Sequence, residues 1–170
     1  MTFFKLIILS ASISVIVFGC KAKYSLDNIN IGNANTFQIN NFSNTADLVE
    51  PDISRYFTLS LQELLLNQTK LSLVKSNGDL VYEGEITDYK ISPINATSQN
   101  TTDQNRLNIS IRVRFFNKLK KDSNFEQTFS FFYDYPRNKN LIGNLKNEAI
   151  SEIFERITHD VFNATLTAKW

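Results

Sequence analysis

The chain has 170 residues, with 18 Lys and Arg against 17 Asp and Glu and a net charge of +1. This balance excludes a general electrostatic attraction to nucleic acid or to a membrane surface. A hydrophobic content of 42% with 14 Phe excludes a disordered chain, and a single Cys excludes an intramolecular disulfide, so the fold must be held by its core alone.

Lys5 precedes an apolar run over residues 6–18, within the roughly 7–15 residues of a secretory signal core. A bilayer-spanning helix needs about 20 residues, so the run targets the chain without remaining as a span. The small Gly19 leaves room for a peptidase, and Cys20 supplies the thiol to which a diacylglyceryl group is attached. Residues 1–19 therefore read as a bacterial lipoprotein signal peptide that is removed, and Cys20 as the lipid-bearing N-terminus. The anchor is the expected membrane attachment, and no other cofactor is expected. Lys21, where an acidic residue commonly marks retention at the inner membrane, directs the expectation to the outer membrane, periplasmic side. Residues 20–35 are polar and Asn-rich, the composition of a flexible tether.

The folded domain is expected over 36–170. Phe37 and Ile39 alternate with polar neighbours as a strand over 36–42, followed by a turn over 43–46. From Pro51 to about Asn67, the positions Ile53, Tyr56, Phe57, Leu61, Leu64 and Leu65 recur at three and four, which predicts an amphipathic helix with Asp52 at its positive end. A short strand over 71–74 leads through a turn at 76–79 into three longer strands.

Over 80–89, Leu80, Tyr82, Gly84 and Ile86 share one face, and Glu83, Glu85 and Thr87 share the other. Over 107–115, Leu107, Ile109, Ile111, Val113 and Phe115 alternate with Asn108, Ser110, Arg112 and Arg114. Over 125–135, Phe125, Phe129, Phe131 and Tyr133 alternate with Glu126, Thr128, Ser130 and Asp134. A last helix carries the stripe Leu145, Ala149, Ile150, Ile153, Phe154, Ile157, Val161 and Phe162. One-sided strands with two one-sided helices predict a single α+β domain, a mixed four-stranded sheet in the order β-α-β-β-β-α with both helices on one face. Residues 92–103 read as a long polar loop. Lys118, Lys120 and Lys121 fall at a hairpin tip.

Catalytic patterns are sparse. His159 is the only histidine, which excludes transition-metal sites of the usual composition. Glu83 and Glu85 share a strand face, as a carboxylate pair for hydrolysis would, but Arg112 and Arg114 on a nearby strand favour cross-strand charge pairing. There is no phosphate-binding Gly loop and no nucleophile elbow, and the chain is not expected to be an enzyme.

The ordered set Gly19-Cys20, Tyr24-Ser25, Phe42-Ser43-Asn44, Val49-Glu50-Pro51, Phe57-Thr58 and Gln68-Thr69-Lys70-Leu71 resembles the LptE family. The resemblance continues through Gly78-Asp79-Leu80, Glu83-Gly84-Glu85-Ile86, Tyr89, Pro93, Asn105-Arg106-Leu107, Val113, Phe115, Asn117, Phe162-Asn163 and Trp170. It implies a non-enzymatic outer-membrane lipoprotein subunit of the lipopolysaccharide transport and insertion complex, which assembles with and plugs the LptD barrel. Binding of lipopolysaccharide is a further implied property. On that reading Arg112, Arg114, Glu83 and Glu85 are candidates for contacts in the polar barrel lumen, and Lys118, Lys120 and Lys121 for the glycolipid's phosphates. The alternative from another class is a free-standing periplasmic ligand-binding lipoprotein, which requires a large apolar pocket.

Overall fold

A computed structural model of the chain describes residues 31–48, 50–94 and 103–167. The expected signal peptide, Cys20 and the first part of the expected tether lie outside the described residues. Ile31 and Ala34 already pack against the core, so the folded unit begins ahead of the first alternating stretch.

The elements are β1 (Thr36–Ile39), β2 (Ser43–Asn44), α1 (Ile53–Gln68), β3 (Ser72–Leu73), β4 (Leu80–Ile94), β5 (Gln104–Asn117), β6 (Phe125–Pro136) and α2 (Gly143–Phe162). A 3-10 turn over Lys121–Ser123 joins β5 to β6, and a π turn over Asn163–Thr167 closes α2. The class is the expected single-domain α+β layer with a mixed sheet. The sheet has six strands where four were expected, in the order β3-β1-β4-β5-β6 with β2 also on β4. The strand at Ser43–Asn44, expected as a turn, is too short for alternation to reveal it, and its parallel pairing to Glu85 and Ile86 is non-local. β1 is parallel to β3 and β4, while β4, β5 and β6 form an antiparallel meander.

Both helices cover one face. α1 buries Ile53, Phe57, Leu61 and Leu65, and α2 buries Ala149, Ile150, Ile153, Phe154, Ile157, Val161 and Phe162. They meet Tyr82, Ile86, Leu107, Ile109, Ile111, Val113 and Phe115 from the sheet. Tyr56 departs from the expected stripe. The buried residues of α1 repeat every four positions, and this turns Tyr56 away to 47% exposure under the guanidinium of Arg55, 4.8 Å from its ring centroid. Asp52 occupies the N-cap in a left-handed conformation (φ 60°) without a capping side-chain hydrogen bond, and it pairs with Arg55 at 3.6 Å instead.

β4 and β5 run further than their apolar stretches suggest. Ser92, Pro93 and Ile94 were expected in the loop but pair with Arg106, Asn105 and Gln104. Pro93 is tolerated there because β1 and β2 pair with β4 only as far as Ile86, so the missing N–H faces no ladder on that side. A bulge between Ile86 and Asp88 leaves Thr87 out of the register, so that Asp88, rather than Thr87, continues the polar phase opposite Ser110.

Asp79 fastens the start of β1 to the start of β4. Its Oδ2 accepts hydrogen bonds from the N–H of Asn35 (2.9 Å) and Thr36 (3.0 Å) and from Thr36 Oγ1 (2.9 Å), while its own N–H donates to Thr36 Oγ1 (3.0 Å). These donors, the Asn35 N–H foremost, hold the carboxyl below its ordinary pKa. A carboxylate depressed in the folded state stabilises it above the unfolded-state pKa, and the contribution is lost as pH falls through the folded-state value. Asp79→Asn should therefore lower the denaturant midpoint at neutral pH, with the gap to the native chain closing in acid. A gap of constant size from neutral to strongly acid pH would refute the linkage.

Candidate partner-binding face

The face opposite the helices is built by the polar phase of three long strands. Every second residue of β5 from Arg106 to Arg114 points there, with Glu83, Glu85 and Asp88 of β4 on one side and Glu126, Thr128, Ser130, Phe132 and Asp134 of β6 on the other. Among the described residues no helix lies over this face.

Register brings the two candidate carboxylates to the two candidate arginines. Glu83 is opposite Arg114 and Glu85 opposite Arg112, and each arginine donates to its glutamate at 3.1 Å, Arg114 through Nε and Arg112 through Nη1. Arg112 also lies 3.6 Å from Glu126 of β6. The second oxygens are engaged as well: Asn40 Nδ2 donates to Glu83 Oε2 at 3.0 Å, and Thr45 Oγ1 to Glu85 Oε2 at 3.2 Å. These contacts tie the residues that follow β1 and β2 into the same net. Carboxylates each held by an arginine and a second donor are fixed in place as paired ions. The engagement of both oxygens of each carboxylate favours the cross-strand pairing reading over the hydrolytic one.

Two further residues of this face, Arg106 and Phe132, are not among the contact candidates that the sequence offers. Arg106 forms a two-pronged pair with Asp134 across the end of the sheet, Nε to Oδ1 at 2.7 Å and Nη2 to Oδ2 at 2.8 Å, with its guanidinium 3.5 Å from the centroid of the Phe132 ring. Arg106 falls just before the apolar alternation of β5, which hides it. Phe132 is 40% exposed in a polar phase, and an aromatic out of phase was the available signal.

Lys118, Lys120 and Lys121 are exposed at the β5–β6 turn and form no ion pair among the described residues. The structure does not bring them into the Arg–Glu net. They stand beyond it, beside the exposed Leu119 and next to Phe116, which shares the polar face with Val81 opposite it. The histidine sits on the exposed side of α2. Between the helices an open cleft of about 400 Å³ is lined by Tyr56, Leu59, Ser60, Glu63, Asn147, Ile150, Ser151 and Phe154. This cleft opens to solvent, and Ser60, Glu63, Asn147 and Ser151 make half of its lining polar. Among the described residues no group of three or more His, Cys, Asp or Glu is arranged to hold a metal ion, and no helix is long and apolar enough to cross a membrane.

The chain resembles several solved structures. The hypothetical protein CT253 from Chlamydia trachomatis superposes with a TM-score of 0.51 at 12% identity, covering 78% of this chain and 98% of that one. The rare lipoprotein B from Shewanella oneidensis gives a TM-score of 0.46 at 14% identity over 75% of this chain and 89% of that one. Lipoprotein B from Nitrosomonas europaea gives 0.47 at 9% over 85% and 88%. At these identities the first similarity speaks for the fold alone. No curated protein matches the chain in sequence. The family model described as LptE, lipopolysaccharide-assembly, matches residues 34–165, which spans the sheet, both helices and the whole charged face. The chain belongs to the LptE lipopolysaccharide-assembly family.

Proposed function

We propose that the chain is a non-enzymatic lipoprotein, anchored through Cys20 to the periplasmic side of the outer membrane, which assembles with an LptD-type barrel and plugs it. The observation that carries this reading is the sheet face that no element among the described residues covers. Each strand of a one-sided sheet leaves its polar phase to water, and here that phase carries cross-strand pairs of arginines and carboxylates suited to the wet, polar lumen of a large barrel. We assign the exposed Lys118, Lys120 and Lys121, beside Leu119, to the phosphates of an anionic glycolipid at the rim of this face. The polar tether then lets the domain enter a barrel while the lipid stays in the inner leaflet.

The test is recovery of a large barrel with the lipidated chain from detergent extracts of outer membrane. Arg112→Gln should weaken that recovery markedly. Its ion pairs are partly exposed (43% for Arg112, 22% for Glu85), so the loss of stability should stay below about 1 kcal/mol. A native chain that never recovers a barrel would sink the proposal, and an Arg112→Gln variant that recovers it as well as the native chain would remove the charged face from the interface.

A further inference from the structure

β6 ends the sheet. It pairs only with β5, and among the described residues no backbone hydrogen bond reaches its outer side. Natural edge strands are usually blunted by Lys, Pro or a bulge. β6 has no Lys, no Pro before Pro136, and an unbroken register with β5 from Phe125 onward. Its charged residues, Glu126 and Asp134, lie on the polar face near Arg112 and Arg106. Along this edge every second residue turns its N–H and C=O outward.

α2 runs beside the edge and makes it one wall of a trough. Phe131 lines a cleft of about 540 Å³ with Glu155, Arg156, His159, Asp160 and Asn163, and the Arg156 guanidinium stands 5.3 Å from the Phe131 centroid. One and two turns earlier on the same side of the helix come Glu152 and Glu148, and Glu148 Oε1 accepts a hydrogen bond from Tyr133 OH at 3.2 Å. The helix wall thus offers Glu148, Glu152, Glu155 and Asp160 against Arg156, and none of the five has an ion-pair partner among the described residues.

The geometry points to strand addition: the trough between β6 and α2 takes an extended segment of a partner polypeptide, its main chain hydrogen-bonded to β6 and basic side chains at alternate positions facing the acidic wall of α2. The open edge supplies the main-chain partners, Phe131 an apolar contact for the methylene stems of the basic side chains, and the unpaired carboxylates set the charge of the occupant. A second copy of the chain fits less well, because two β6 strands running antiparallel about Ser130 place Glu126 opposite Asp134 at both ends. This inference rests on the subunit reading above for the existence of a partner, and adds where that partner attaches.

The probe is an acetylated peptide of alternating Val and Lys, with alternating Val and Glu as its control, added to the full lipidated chain in detergent and read by amide hydrogen exchange. The basic peptide should slow exchange of the outward β6 amides about tenfold or more, and the acidic one should not. Of Gln127→Pro and Thr128→Pro, the one whose N–H points outward should keep its thermal midpoint and lose the protection. Protection elsewhere, equal effects of both peptides, or protection surviving in both proline variants would overturn strand addition. So would β6 amides already protected by dimer formation without peptide. A barrel recovered from membranes that leaves the β6 amides unprotected would overturn this inference and leave the subunit reading standing.

Discussion

Replacing Phe57 by Ala is expected to cost about 3–5 kcal/mol. Phe57 is fully buried in the second turn of α1, and its ring joins two layers. It meets Phe42 edge-on at a centroid distance of 4.9 Å and 79°, and Phe154 of α2 at 5.3 Å and 75°. Truncation removes both edge-to-face pairs together with the transfer term, and leaves a void bounded by the segment before β2, by α1 and by α2. That void cannot collapse without moving a helix against the sheet, which puts the loss toward the upper end of the range for aromatic truncation. Against a total stability of about 5–15 kcal/mol for a domain of this kind, the variant would populate unfolded chain substantially. Loss of a subunit by depletion would then mimic loss of function. Denaturant titration should show a lower midpoint with an unchanged slope. An unchanged midpoint would mean that the three rings do not carry the core.

The same rings show what the sequence makes legible. Ile53, Phe57, Leu61 and Leu65 on one helix, and Ala149 to Phe162 on the other, repeat at helical spacing, so both helices and their buried sides follow from periodicity alone. Leu107 to Phe115 likewise reveals β5 together with the polar phase of Arg112 and Arg114. Once β4 and β5 are neighbours, Glu83 and Glu85 have nowhere else to pair. What stayed hidden is non-local or out of phase. The parallel contacts of β1 and β2 with β4 depend on the crossover through α1, and two-residue strands have no period to detect. The bulge at Thr87 shifts the phase by one residue, exchanging Thr87 for Asp88 on the outer face. Arg106 lies one residue ahead of the apolar alternation of β5, and its pairing with Asp134 and Phe132 depends on the register of β5 with β6, which neither strand's own period fixes.

Gly84→Ala should be strongly destabilising, although strand propensity alone favours Ala over Gly. Gly84 lies on the core side of β4 between Tyr82 and Ile86, opposite Val113. A Cβ built there would collide with the main-chain carbonyl oxygen of Arg112 and stand 2.7 Å from Phe42 Cε1. The ring is fully buried against Phe57, and the carbonyl belongs to the β5 backbone, so neither can rotate away. The strands must part at the point where Glu85 meets Arg112 on the other face. Overpacking of this kind costs about 1–3 kcal/mol, and a backbone obstacle places it at the upper end. The thermal midpoint should fall by roughly 6–12 °C at about 2–4 °C per kcal/mol. Shrinking the ring with Phe42→Leu in the same chain should restore only part of the loss, since the Arg112 carbonyl remains. The two faces can then be separated by comparison: Arg112→Gln should weaken the partner complex with little change in midpoint, whereas Gly84→Ala should lower the midpoint and, by displacing the Arg112 backbone, weaken the complex as well. A Gly84→Ala chain as stable as the native one would show that the sheet yields to a methyl group here, and that the absent side chain is not what lets β4 and β5 approach.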